Sequence, residues 1–250
     1  MADQSSRKQL RFAYKFKFAS GEEKLVDLEL DPATLRVKQQ PPELKPEWTR
    51  LKFSQCENCP LGDDVEYCPV AVNLSTVVQT FQAFDSFEPV HVSVETKERT
   101  YSKETSLQKS LSSIIGVYMV TSDCPIMDKL RPMSQFHLPF ASSMETFYRS
   151  VSMYLTAQFF LMRQGKEPDW DLKKLVELYK AISTVNKGMA ERLRQASEKD
   201  ANVNAMVILH SFGDGVPYFV EGGLAEIEHL FTVYTNYNGE ESVKEEKKGS

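Results

Sequence analysis

An α+β fold is predicted for this 250-residue chain, and two hydrophobic periods predict it. Near the N-terminus apolar residues alternate with polar ones, as in strands with one buried face; from about residue 106 onward they recur every three or four positions, as in helices. A third observation sets the chemistry: Cys56, Cys59 and Cys68 fall within thirteen residues, and the fourth cysteine, Cys124, stands apart. The expected architecture is an N-terminal antiparallel sheet with one or two helices, packed on a C-terminal helical bundle. Its segments are a flexible N-terminus (1–8), a sheet region with the three-cysteine segment (9–105), a helical bundle (106–212), a C-terminal extension (213–237) and a charged disordered tail (238–250).

The first strand follows from Leu10, Phe12, Tyr14, Phe16 and Phe18 alternating with Arg11, Ala13, Lys15 and Lys17. Ser20-Gly21-Glu22-Glu23 reads as a hairpin turn into a second strand carrying Leu25, Val26, Leu28 and Leu30. A proline-rich connector (39–46) follows, and Trp48, Leu51 and Phe53 continue the strand-like region into the first cysteine pair. After Cys68 the period changes. Pro69 suits a first helical position, where its missing N–H has no partner to lose, so Cys68 is expected at the cap of a helix bearing Val70, Leu74, Val77, Val78 and Phe81. Val90, Val92 and Val94 make a third strand, running on toward Tyr101, and Leu107, Leu111, Ile114, Ile115, Tyr118 and Met119 make the next helix.

Pro125 is expected to open a further short helix, again with a cysteine at its cap. Ser142-x-x-Glu145 has the form of a capping box and opens a helix carrying Phe147, Tyr148, Val151, Tyr154, Leu155, Phe159 and Met162. Apolar residues wrap most of its circumference, so it is expected at the centre of the bundle. The stripe Leu172, Leu175, Tyr179, Ile182, Asn186, Met189, Leu193 and Ala196 repeats at three and four. Packing within the chain is favoured for it over a homo-oligomeric zipper. A helix from Asp200 to Phe212 is expected to break at Gly213-Asp214-Gly215-Val216-Pro217, with helix or hairpin left open for 218–234.

The totals bound the function. Hydrophobic residues at 41% and charged ones at 26% are ordinary for a globular chain of this length, which needs no staples to bury a core. The formal net charge of −5 argues against a general nucleic-acid binder, which needs a basic surface. No apolar run approaches about 18 residues, so no membrane span is expected. Residues 1–8 have no apolar run of the secretory kind, and the expected location is the reducing cytoplasm, where cysteines read as metal ligands or redox groups before disulfides.

A Cys-x-x-Cys pair lets two thiolates reach one ion from a single turn, and tetrahedral zinc takes four such ligands. Cys56, Cys59, Cys68 and Cys124 match that demand, and cysteines at helix starts gain thiolate character from the helix dipole. Zinc is favoured; an iron–sulfur cluster is the alternative, although its usual ligand runs are more tightly spaced. Uncoordinated buried thiols are the remaining reading. His137, between Phe136 and Leu138, is a second candidate ligand or supporting donor, against the commoner packed core histidine. Glu145/Arg149 and Asp169/Lys173 have the spacing of surface ion pairs. Arg131, Arg149 and Arg163 would make an anion site if they converged. No phosphate-binding glycine loop, nucleophile elbow or His-Glu-x-x-His occurs, so no catalytic or cofactor-binding residue is assigned. The leading function is a metal-bearing structural, sensory or binding protein whose ion clamps the sheet and helical halves. The alternatives are a redox protein with an iron–sulfur centre or reactive thiols, and an enzyme built on Arg131, His137 and Arg149.

Glu47-Trp48-Thr49-Arg50-Leu51, Cys56-x-x-Cys59-Pro60-Leu61, Cys68-Pro69, Asp123-Cys124-Pro125 and Arg131-Pro132-Met133-Ser134-Gln135-Phe136-His137-Leu138-Pro139-Phe140 together resemble a bacterial family of uncharacterised proteins. The similarity continues through Tyr148-Arg149, Asn186-x-x-Met189-Ala190-Glu191-Arg192-Leu193 and Asp200-Ala201-Asn202-Val203-Asn204-Ala205. It covers about residues 10–212. The resemblance implies no activity.

Overall fold

The structure is a computed structural model that describes residues 10–38 and 45–235; the expectations for 1–8, for most of the proline-rich connector and for 238–250 lie outside the described residues. Four strands, β1 (Leu10–Phe18), β2 (Glu23–Leu30), β3 (Pro89–Glu95) and β4 (Thr100–Ser106), form one antiparallel sheet in the order β2-β1-β3-β4. The alternation fixes the register: Tyr14 pairs with Val26 on one side and Val94 on the other, so one face of β1, β2 and β3 is apolar. Phe12, Tyr14, Phe16, Phe18, Leu28, Val92 and Val94 are buried on that face. The other face carries cross-strand ion pairs, Arg11 with Asp27 at 2.6 Å and Lys15 with Glu23 at 2.8 Å.

Two helices cover the apolar face. α1 (Pro69–Phe81) lies between β2 and β3 in the chain and buries Leu74, Val77, Val78 and Phe81; the Phe81 ring meets Phe16 edge-on at 4.9 Å. α2 (Leu107–Val120) follows β4 directly and buries Leu107, Leu111, Ile114 and Ile115. Arg99 and Thr96 close a turn between β3 and β4, so the third strand does not run on through Tyr101: it ends at Glu95, and Tyr101 belongs to β4. The remaining elements are helical: α3 (Pro132–Gln135), α4 (Ser143–Arg163), α5 (Lys173–Ala196), α6 (Ala201–Glu221) and short turns from Ala225 to Thr235. The Trp48 region is two 3₁₀ turns (Glu47–Thr49 and Leu51–Phe53), and Met127–Leu130 is a third. A single apolar cluster runs from Phe12 in the sheet to Phe219 in α6, so the two halves share one core.

Two expectations are corrected. α4 opens with the capping box, Ser142 Oγ receiving the Glu145 N–H and Glu145 receiving the Ser142 N–H. It is nevertheless peripheral: only Ser150, Val151 and Gln158 are buried, while Phe159 and Phe160 are exposed. The central position belongs to α6, which packs on both α5 and α2. α6 also continues through the predicted break at Gly213 to Pro217. An added Cβ at Gly215 would overlap the Phe147 ring of α4, so that glycine permits close helix packing, and the packed neighbours offset its poor helix propensity. The expected boundary at 212/213 falls inside this helix. Among the described residues no helix is long and apolar enough to cross a membrane.

The junction between halves is built from the Asp200 to Ala205 motif. Asp200 accepts the Ser86 N–H at 2.8 Å and its hydroxyl at 3.0 Å, and Asn202 donates to the Val78 carbonyl at 3.1 Å. Lys199 pairs with Asp85 at 2.8 Å. These groups tie the start of α6 to the end of α1, which gives that motif a structural role.

Candidate functional site

The cysteine loop is anchored before any cysteine is considered. The Leu51 N–H donates to the Glu66 carbonyl at 2.9 Å, and the Cys68 N–H to the Thr49 carbonyl at 2.8 Å, so the loop closes at its base. Arg192 of α5, only 1% exposed, donates to the carbonyls of Trp48, Arg50 (2.6 Å), Leu51 (3.1 Å) and Ser54 (2.7 Å). One guanidinium therefore satisfies four carbonyls that the 3₁₀ turns leave free. At the loop tip, Cys59 N–H donates to Cys56 O at 3.0 Å, making the tight turn expected of the pair, and Asn58 Nδ2 donates to the Ala181 carbonyl of α5 at 2.8 Å.

Cys68 caps α1, as its following proline predicts. Cys124 arrives from the end of α2 through Asp123, whose φ of 68° is left-handed; its carboxylate is held by Arg36 at 2.6 Å and Arg131 at 3.0 Å. Cys124 precedes a 3₁₀ turn, Asp128 N–H donating to its carbonyl at 2.9 Å, in place of the expected helix opening at Pro125. All four cysteines are free thiols, Cys68 and Cys124 buried and the other two half-buried. They line one cavity of about 20 Å³ together with Ile126 and with Val185 and Met189 of α5. Gly188 of the same helix lies against Cys56: an added Cβ would come 2.8 Å from Sγ.

Charge on one sulfur is felt by the others. Burial pushes the Cys56 thiol up to about 12, the neighbouring Cys68, Cys59 and Cys124 add to the rise, and Arg192 opposes it. Burial also raises Cys68 and Cys124. The backbone amides of Ala71 and Val70 pull Cys68 back, and those of Met127 and Ile126 pull Cys124 back. Among the described residues no group of three or more His, Cys, Asp or Glu side chains stands arranged to hold a metal ion. Ligation requires each thiol to lose its proton, which burial opposes at Cys56, Cys68 and Cys124.

A second cavity, about 550 Å³, lies between β4, α2, the 130–149 segment, α5 and α6. His137 lines it and so stands apart from the cysteines. Its Nε2 is 2.7 Å from the Tyr14 hydroxyl and 3.5 Å from Ser113 Oγ, and its ring meets Phe12 edge-on at 5.2 Å. Burial, with Arg149 adding, drives His137 down to about 3, so the ring is neutral. Arg149 lines the same cavity, its Nη2 donating to the carbonyls of Phe136 (2.8 Å) and Met133 (3.2 Å). Arg131 does not join them: it pairs with Asp123 and Asp128, and Arg163 is exposed near the end of α4. The site of Arg131, His137 and Arg149 is therefore split, and the arginine cluster does not form. The two expected i,i+4 ion pairs are also replaced: Glu145 closes the capping box, and Asp169 accepts from Tyr154 at 2.8 Å and from the Lys174 N–H at 2.8 Å.

α5 serves both cavities. It presents Val185 and Met189 to the cysteines, and Tyr179, Ile182 and Asn186 to the larger space. The stripe expected on this helix is thus buried within the chain. Sequence reasoning missed Arg192 and Gly188. Arg192 sits three residues after Met189, at the edge of the stripe beside Leu193, and a charged residue flanking a buried stripe was the available signal.

A family model described as a domain of unknown function, DUF6901, matches residues 12–232. The chain belongs to that family. No curated protein matches the chain, and no solved structure does. The DUF6901 match reaches beyond Phe212, where the resemblance carried by the motifs stops, and it takes in all of α6. It also contains both cavities in full.

Proposed function

We propose that Cys56, Cys59, Cys68 and Cys124 together hold one metal ion, zinc in preference to iron and sulfide, in a structural, sensory or binding protein. The observation that carries this reading is that four thiols from separate parts of the chain line one small cavity. Two of them stand before helical turns whose amides favour the thiolate. Arg192 adds a positive charge near Cys68, Cys56 and Cys59, which suits a tetrathiolate centre that carries excess negative charge. A cavity of about 20 Å³ suits a single ion far better than a cluster of several irons and sulfides. The ion would join the loop before α1 to the turn after α2 and hold both against α5.

Free thiols as a redox device are less well supported, because reactive cysteines have lowered pKa values and those of Cys56, Cys68 and Cys124 are raised. Metal analysis and an absorption spectrum of anaerobically purified protein test the proposal. One zinc per chain without visible colour is the expected result. Brown protein containing iron and sulfide would transfer the site to the alternative, and metal-free protein with four titratable thiols would overturn both.

A further inference from the structure

The larger cavity has features that the cysteine site does not use. Its volume, about 550 Å³, is in the range that encloses a small organic molecule. Val117, Val120, Leu130, Ile182, Leu209 and Phe212 give it apolar walls. Its charged groups are not balanced. Lys103, Lys109 and Arg149 line it against one carboxylate, Glu145, which is committed to the Ser142 cap. Arg149 has no carboxylate within ion-pair distance among the described residues, and burial lowers its pKa. Three cations around one cavity stand out in a chain whose net charge is −5.

Asn186 supplies a second polar anchor. It is 97% buried, lines the cavity, and its amide has no hydrogen-bond partner among the described residues. Its Nδ2 lies over Gly213 of α6, 3.4 Å from where a Cβ would stand. Tyr179, which lines the cavity with Arg149 and hydrogen-bonds the Ser150 hydroxyl at 2.7 Å, is seven residues earlier on the same face of α5. At a helical rise of 1.5 Å per residue, Tyr179 and Asn186 are separated by about 10 Å along the axis, with Ile182 between them.

We propose that this cavity binds a monocarboxylate with an apolar body, its carboxylate at Arg149 and a neutral hydrogen-bonding group at its far end on Asn186. Lys103 and Lys109 steer the anion to the opening, Ile182 and its neighbours bury the body, and Asn186 distinguishes a polar terminus from a plain hydrocarbon one.

Titration calorimetry on the full chain tests this with decanoate, decanol, decylamine and ω-hydroxydecanoate. Decanoate is expected to bind at least tenfold tighter than decanol, and decylamine more weakly still. ω-Hydroxydecanoate is expected to match or exceed decanoate, despite its lower hydrophobicity. Arg149→Gln should remove most of the preference for carboxylate over alcohol. Because Arg149 also holds two carbonyls, the exposed double variant Lys103→Gln/Lys109→Gln provides a second reading, with a several-fold loss that high salt reproduces in the wild type. Asn186→Leu should weaken ω-hydroxydecanoate and strengthen decanoate. No heat with any probe, or decanol binding as tightly as decanoate, would overturn the proposal. Equal effects of Asn186→Leu on the two acids would remove the far anchor.

Discussion

Gly188 of α5 lies so close to Cys56 that a methyl group at position 188 would come within 2.8 Å of the cysteine sulfur. Alanine is better than glycine inside a helix by about 1 kcal/mol, so two effects of opposite sign compete at this position. In the wild-type background the clash should dominate, and Gly188→Ala should lower the unfolding midpoint and, at the proposed centre, the zinc content. In a Cys56→Ala background the obstructing sulfur is gone, and the same substitution should stabilise the protein by up to about 1 kcal/mol. A double-mutant cycle by urea unfolding measures this, and additive effects would show that the contact does not matter.

Cys124 is the residue that makes the cysteine site long-range, since it alone comes from the far side of α2. Cys124→Ser should reduce zinc content and thermal stability together, and adding a chelator to the wild type should give a similar loss. If metal content and midpoint are both unchanged in the variant, Cys124 is not a ligand.

Arg192 holds four backbone carbonyls from a buried position. Arg192→Met leaves those acceptors unpaired, and a loss of about 3 kcal/mol or more is expected in chemical denaturation. Arg192→Lys should recover only a minor part, because a single ammonium cannot reproduce the planar fork. Full recovery by lysine would mean that charge near the thiols, and not the geometry of the loop, is what Arg192 provides.

His137 sets a pH dependence. Its proton affinity in the folded chain falls to about 3 from an ordinary value of 6.5. Between those values the unfolded chain takes up a proton that the folded chain refuses. This contribution to stability is therefore complete above pH 6.5 and is lost as the pH falls toward 3, with a slope of at most about 1.4 kcal/mol per pH unit. Carboxylates titrate in the lower part of that window, so the diagnostic range is pH 6.5 down to about 5. His137→Gln keeps a side-chain partner for Tyr14 while removing the titration. It should flatten the stability profile over that range, and a profile parallel to the wild type would refute the assignment.

What the sequence revealed depended on whether a signal was local. Phe12, Tyr14, Phe16 and Phe18 show the sheet because alternation is a property of one strand, and Ser142 with Glu145 shows a helix start because the cap spans four residues. The glycines at 213 and 215 were misleading for the opposite reason: their meaning lies in Asn186 and Phe147, on other helices. Tyr148, Phe159 and Met162 gave α4 an apolar circumference that the fold leaves largely exposed. The cysteine set was legible because its residue type is rare and chemically distinctive, although nothing in the sequence put Arg192 beside it. The larger cavity was not legible at all. Its walls are drawn from several elements, and each wall residue, taken alone, reads as an ordinary core or surface position.

One helix, α5, is the partition between two chambers. Ile182 and Asn186 form part of one wall, and Val185 and Met189, on the intervening positions, form part of the other. The turn after Cys124 repeats the arrangement, with Ile126 on the thiol side and Met127 on the side of the larger cavity. A shift of either element cannot be confined to one chamber. If occupancy of one changes the affinity of the other, the change must run in both directions by the same factor.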